Sequence, residues 1–317
     1  MTVRRARGRR WRRIAFFVFL AVVAVLLVRY AASVDWAQVG ATLAGYSVVT
    51  LAGAAALTVG SYLLYSCYDL AARRYARHQL PVPRVMAISL VAYAFSLNVG
   101  ALVGGAGFRY RMYSHAGLGI GSISRIVAFT VTTNWIGYLL LAGAIFAMGA
   151  VTLPPQWKVD IGLLPWIGVA MLLAVGAYLG ACRLAHGRVF HLRGHHLRLP
   201  SLPLALLQMT LAACNWSLMA ALLHLFMPPE VSYGTVLGTL LLAAVASAIA
   251  HIPAGIGVLE AVFLALLGHQ VPAPQLLAAL LAYRACYYLG PLLLAVAGYV
   301  LLEARTRRAA PAGEAAH

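Results

Sequence analysis

Apolar residues in this chain fall in long blocks separated by short polar connections, rather than in the narrow stripes of a soluble amphipathic helix. The blocks run at about 14–30, 46–69, 85–107, 122–150, 162–182, 201–227, 234–268 and 275–302. About 18 apolar residues in a helix suffice to cross a hydrocarbon core of ~30 Å. The pattern therefore predicts an all-α polytopic membrane protein, with a basic arm at 1–13, one transmembrane domain at 14–303 and a tail at 304–317.

Two blocks are broken internally. In 234–268, about 17 largely apolar residues lead into His251-Ile252-Pro253-Ala254-Gly255-Ile256-Gly257-Val258-Leu259-Glu260. Pro253 lacks a backbone donor, and Gly255 and Gly257 accept conformations outside the helix. In lipid the peptide groups freed by such a break need protein or water partners, so breaks line cavities, as in the discontinuous helices of transporters. The block 85–107 ends in Leu97-Asn98-Val99-Gly100-Ala101-Leu102-Val103-Gly104-Gly105-Ala106-Gly107, a poor helix interior and a good re-entrant turn. A complete helix packed through Gly100-x-x-x-Gly104 is the alternative.

Charge placement favours re-entry. The chain is 63% hydrophobic and 10% charged, with a net charge of +17 in which Lys158 is the single lysine. Arginines crowd 1–13, 70–84, 108–125, 183–198 and 305–308, whereas Asp35, 151–161 and Glu230 mark the opposite side. Eight simple crossings would place two Arg-rich connections outside, against the positive-inside rule. Re-entry at 85–107 and at 234–268 brings every Arg-rich connection to the cytoplasmic side. The limb after the second break is about 13 residues, roughly 20 Å, which is short for a crossing. The expectation is about six full helices plus two re-entrant elements, with eight spans as the alternative. Halves at 14–150 and 162–302 would then repeat the same order with inverted topology.

The basic arm runs straight into an apolar helix, which points to anionic headgroups rather than nucleic acid. An uncleaved signal anchor is expected there. Cys67, Cys182, Cys214 and Cys286 stand singly and read as small apolar residues. His186, His191, His195 and His196 cluster in one connection without acidic or Cys partners, so no metal site is expected. No Ser-His-Asp set, paired carboxylates or nucleotide loop occurs, so neither enzymatic activity nor a cofactor is expected.

Glu260 and Arg284 lie deepest in apolar sequence, where charge is costly and by default faces a cavity or a partner. They line a site, form a pair that holds the helices, or do both. The half-helix expected to start near Gly255 offers Gly255 and Gly257 N–H groups to an anion, with His251 beside it as a further donor or a structural residue. Across from it, Asn98, Arg109 and Arg111 reach a headgroup from the cytoplasmic side, or the two arginines simply obey the charge rule. Thr132, Thr133, Asn134, Trp135, Asn215 and Trp216 suit hydrogen bonds between helices.

These stretches carry a resemblance. Leu97-Asn98-Val99-Gly100 with Gly107-Phe108-Arg109-Tyr110-Arg111-Met112-Tyr113, Thr132 to Tyr138, His251 to Phe263 and Leu281-Ala282-Tyr283-Arg284 are similar to the YbhN-type inner-membrane family. That family is related to the transmembrane flippase domain of lysylphosphatidylglycerol synthases. The resemblance covers about residues 10 to 305 and implies a multi-pass protein of the bacterial inner membrane, in a family whose better understood relatives move aminoacylated phospholipid between leaflets. The arginines at both ends place both termini on the cytoplasmic side. Those relatives carry an aminoacyl-transferase domain after the membrane part, whereas here a short Ala/Pro tail follows Arg305, so lipid synthesis is not implied. The expected function is a flippase-like transporter of a phospholipid, anionic in character. The alternative is a non-transporting lipid-binding scaffold for a separate enzyme. Expected partners are the lipid, the bilayer and, as an option, a second copy of the chain.

Overall fold

The structure, a computed structural model, describes residues 35–149, 163–184, 189–192, 195–250, 252 and 255–298. It is a helical membrane protein. Asp35 opens α1 (Trp36–Ala44), its carboxylate accepting from the N–H groups of Ala37 and Gln38 at 3.1 Å. Ser47 caps α2 (Val48–Ala76) in the same way. Then come α3 (Val82–Val99), a π-helical turn at Ala101–Gly107, α4 (Phe108–His115), α5 (Ile120–Ala147) and α6 (Leu163–Leu184). A small antiparallel hairpin, β1 (Val189–Leu192) with β2 (His195–Arg198), precedes α7 (Leu202–His224) and is the one departure from helix that the hydropathy pattern did not predict. The chain continues with α8 (Tyr233–Ala250), α9 (Val258–Leu267) and α10 (Ala273–Arg284), the last running through a π turn at Ala285–Leu289 into a helix that reaches Gly298.

Seven described helices are long and apolar enough to span a membrane. Two of them, α3 and α8, double back instead of continuing. After α3 the chain reverses at Gly100 (φ 99°) and returns through the π turn and α4. Phe108 stacks on Phe95 at 3.8 Å, and Arg84 Nη2 donates to the His115 carbonyl, so the two ends of the excursion lie side by side. After α8 the chain turns at Gly255 (φ 57°) and Gly257 (φ 80°), and α9 packs back along α8. The last helix then sets out from Pro272. Five uninterrupted long helices and two helical hairpins remain, in the order expected from charge. The first apolar block and the tail lie outside the described residues.

The first hairpin closes because Gly104 has no side chain: a Cβ there would sit 2.1 Å from the Phe95 carbonyl oxygen. Gly104→Ala is expected to force the limbs apart at about 1–3 kcal/mol, measured as a lower thermal midpoint in detergent. Gly121→Ala, with open space around it, serves as the control.

A polar knot ties α2 and α3 to α7 and the last helix. Ser61 of α2 donates to Asn215 Oδ1 of α7 at 2.8 Å and meets the Tyr287 hydroxyl at 2.7 Å. That hydroxyl also meets Tyr93 of α3 at 2.7 Å. A π turn widens the i→i+4 ladder and changes which carbonyls find partners. Here the Tyr62 hydroxyl donates to the Tyr287 carbonyl and Asn98 Nδ2 donates to that of Tyr288. Between α5 and α7, Gln208 donates to Thr133 Oγ1 at 2.8 Å, the interhelical role expected of the threonine.

Candidate functional site

Both hairpin tips open onto one cleft of about 480 Å³. One tip contributes Ser96 to Val103 in part, the other Ser247, Ala248, Ile252 and Gly255. Trp216 and Met219 of α7, Leu240, Ala243 and Ala244 of α8, Leu259 of α9 and Tyr288 of the last helix complete the wall. Among the described residues no charged side chain belongs to this wall. The tips also present bare apolar surface: Leu102 is 84% exposed and Ile256 59%.

Behind the second tip lies an ion pair. Gly257, in a left-handed conformation that suits glycine, ends the turn so that α9 begins at Val258. Glu260 reaches back one turn and its Oε2 accepts from the Gly257 N–H at 2.9 Å. Both carboxylate oxygens are held by Arg284, through Nε to Oε1 and through Nη2 to Oε2 at 3.1 Å. The same Nη2 donates to the Gly255 carbonyl at 3.1 Å, and the guanidinium lies 5.3 Å from the Tyr288 ring centroid. One arginine thus binds tip, short helix and last helix together. Glu260 occupies the helix N-terminus expected to attract an external anion, so the positive end of α9 is balanced from within.

Behind the first tip lies a second pair, more deeply enclosed. Asp69 of α2 is fully buried. It accepts from Arg109 Nη2 at 3.0 Å, from Arg109 Nε at 3.2 Å and from the Tyr113 hydroxyl at 2.9 Å. Arg109 Nη1 donates to the Gly105 carbonyl, and its guanidinium lies 5.7 Å from the Tyr65 ring centroid. The sequence places Asp69 at the edge of an apolar block, but α2 runs on to Ala76 and carries it inside.

The hairpins match in register. Helices α3 and α8 are each 18 residues long. Ser96 stands fourteen residues after Val82, and Ser247 fourteen after Tyr233. Each serine packs against a glycine of the returning limb, Gly105 and Gly255 respectively. Thirteen residues beyond each serine stands a charged residue of that limb that enters an ion pair, Arg109 in one hairpin and Glu260 in the other.

The structure gathers Asn98, Gly255, Gly257, Glu260 and Arg284 around the cleft and the wall behind it. Asn98 is half-buried and spends its amide on the carbonyls of Ala94 and Tyr288. Arg109 is turned inward onto Asp69 instead of outward to a headgroup, because a buried carboxylate leaves its charge unbalanced without it. Arg111 is exposed on α4. His251, with Pro253 and Ala254, lies outside the described residues, as does His186. Among the described residues no group of three His, Cys, Asp or Glu is arranged to hold a metal, and all four cysteines are free. Asp69 and Trp216 gain their place in the site from the fold.

Residues 14–295 match the family described as the Lysylphosphatidylglycerol synthase TM region. The chain is 46% identical over 311 residues to "Inner membrane protein YbhN" of Escherichia coli, covering 97% of this chain and 98% of that protein. It is 33% identical over 287 residues to "Uncharacterized protein slr0712" of Synechocystis sp., covering 88% of each.

Proposed function

The chain belongs to the Lysylphosphatidylglycerol synthase TM region family, and from that premise we propose that it is a flippase-like transporter of a phospholipid in the bacterial inner membrane, with both termini cytoplasmic. The observation that carries the proposal is the convergence of two broken hairpins on one open, largely apolar cleft. A break in a membrane helix is tolerated where it is buried or borders a cavity, and transporters build substrate sites between such elements. Re-entrant limbs of equal length meeting from opposite halves give a path that either leaflet can reach in turn. The excess of arginine over acid along the basic connections supports an anionic headgroup as the preferred cargo.

Purified protein reconstituted into liposomes with fluorescent phosphatidylglycerol in both leaflets tests the reading. Addition of a membrane-impermeant quencher is expected to extinguish nearly all fluorescence, against about half in protein-free liposomes. Phosphatidylcholine is expected to move more slowly. Tight co-purification of lipid with no protein-dependent movement would instead support a lipid-binding scaffold.

A further inference from the structure

A short chain of tyrosines joins the two ion pairs. The Arg109 guanidinium lies 5.7 Å from the Tyr65 ring centroid, and Tyr65 stacks on Tyr93 with centroids 3.5 Å apart. The Tyr93 hydroxyl meets that of Tyr287 at 2.7 Å, and the Tyr287 ring stands edge-on to Tyr288. Tyr288 in turn lies 5.3 Å from the Arg284 guanidinium. Every step is a direct contact, so the pair behind one tip is physically continuous with the pair behind the other.

This chain crosses the last helix at its π turn, Ala285–Leu289. Immediately before the turn, Arg284 holds Glu260 and the Gly255 carbonyl, both of the second hairpin. Within the turn, the Tyr287 hydroxyl holds Tyr93, and the Tyr288 carbonyl accepts from Asn98 at 3.2 Å, both on the outgoing limb of the first hairpin. The Tyr62 hydroxyl of α2 donates to the Tyr287 carbonyl at 3.1 Å. A π turn carries one residue more than the regular helix it interrupts, with poorer local bonding that outside partners offset. Relaxing it to α geometry would rotate the residues beyond it by about 100° against those before it. Tyr287 and Tyr288 could not then keep Tyr93 and Asn98 while Arg284 kept Glu260. The form of the turn and its grip on both hairpins therefore change together.

We propose that the π turn at Ala285–Leu289 is a joint that couples the two hairpins. The Glu260–Arg284 pair braces it from one side, Tyr93 and Asn98 brace it from the other, and release at either hairpin loosens its counterpart. The two tips that border the cleft thus open and close as one unit. This goes beyond the transport reading and holds whether or not lipid moves.

Hydrogen–deuterium exchange of the full-length protein in nanodiscs, read by mass spectrometry, tests the joint. Glu260→Gln is expected to speed exchange in α9 and also, by about tenfold, in the first hairpin at 101–107, with α5 and α6 unchanged. Arg284→Lys, which keeps a charge opposite Glu260 but loses the forked grip, should act in the same direction. Tyr93→Phe combined with Asn98→Leu removes the ties to Tyr287 and Tyr288. In that background Glu260→Gln should still speed α9 and leave 101–107 at the rate of the background. Linkage requires the reverse effect as well, so the Tyr93→Phe, Asn98→Leu protein should itself exchange faster in α9. An effect of Glu260→Gln confined to the second hairpin, one spread evenly over all helices, or one that persists at 101–107 in the untied background overturns the proposal. Independent hairpins in a protein that moves lipid in liposomes overturn the joint and leave transport standing. Coupled hairpins in a protein that moves none uphold the joint and remove the transport reading instead.

Discussion

Asp69→Asn is expected to be the most destabilising single change in the membrane core, lowering stability by about 3–5 kcal/mol. The substitution leaves Arg109 charged, 3% exposed and facing an amide. It also weakens the acceptor of the Tyr113 hydroxyl. Removing one partner of a buried pair costs more than the pair contributes, because the remaining charge cannot return to water. Replacing both charges, with Asp69→Leu and Arg109→Met together, should therefore recover much of the loss. Arg111→Gln, two residues away and exposed, should change stability by no more than about 0.5 kcal/mol. Thermal unfolding in detergent checks the whole series. A D69N protein as stable as the unaltered one would remove Asp69 as the anchor of the first hairpin.

The opposite balance is expected at the second hairpin, where function should fall before the fold does. Glu260 and Arg284 side chains are 17% and 14% exposed, so a charge left alone there is partly relieved, unlike one at Asp69. Glu260→Gln keeps a side-chain carbonyl that can accept from the Gly257 N–H, which preserves the start of α9. It loses the charge that holds Arg284 across to the last helix. Arg284→Gln removes the same link and the bond to the Gly255 carbonyl. Each is expected to reduce lipid transfer at least tenfold, equivalent to about 1.4 kcal/mol, while the protein still elutes as one folded species. Loss of folded protein in step with loss of transfer would assign the pair to packing alone.

Much of this was legible in the chain because lipid enforces a simple grammar. Long apolar blocks must be helices, glycine and proline within them must mark breaks, and arginines sort to one side. Those rules favoured two hairpins over eight simple spans and offered Glu260 and Arg284 as a pair, as groups lining a site, or as both. They could not place Asp69, whose partner lies forty residues away and is chosen by tertiary packing. The available hint was an acid one helical turn after Tyr65 in an otherwise apolar stretch. Helix α1 hid within a presumed connection, although Asp35 ahead of Trp36 is a capping signal. The register shared by the hairpins leaves little mark in the sequence, because it rests on one serine, one nearby glycine and charges of opposite sign. The π turn after Arg284 has no clear mark in the sequence; it is set by Tyr62 and Asn98 taking its carbonyls.

The central claim is that lipid passes through the cleft between the two tips. Ala244→Trp places an indole in that cleft from a helix whose backbone it need not disturb. The decisive measurement is the quencher assay on liposomes holding this variant beside the unaltered protein, both matched for elution and thermal midpoint. The account predicts near-complete quenching with the unaltered protein and, with Ala244→Trp, a return to about the half expected of protein-free vesicles. Lipid movement undiminished by the filled cleft would contradict it.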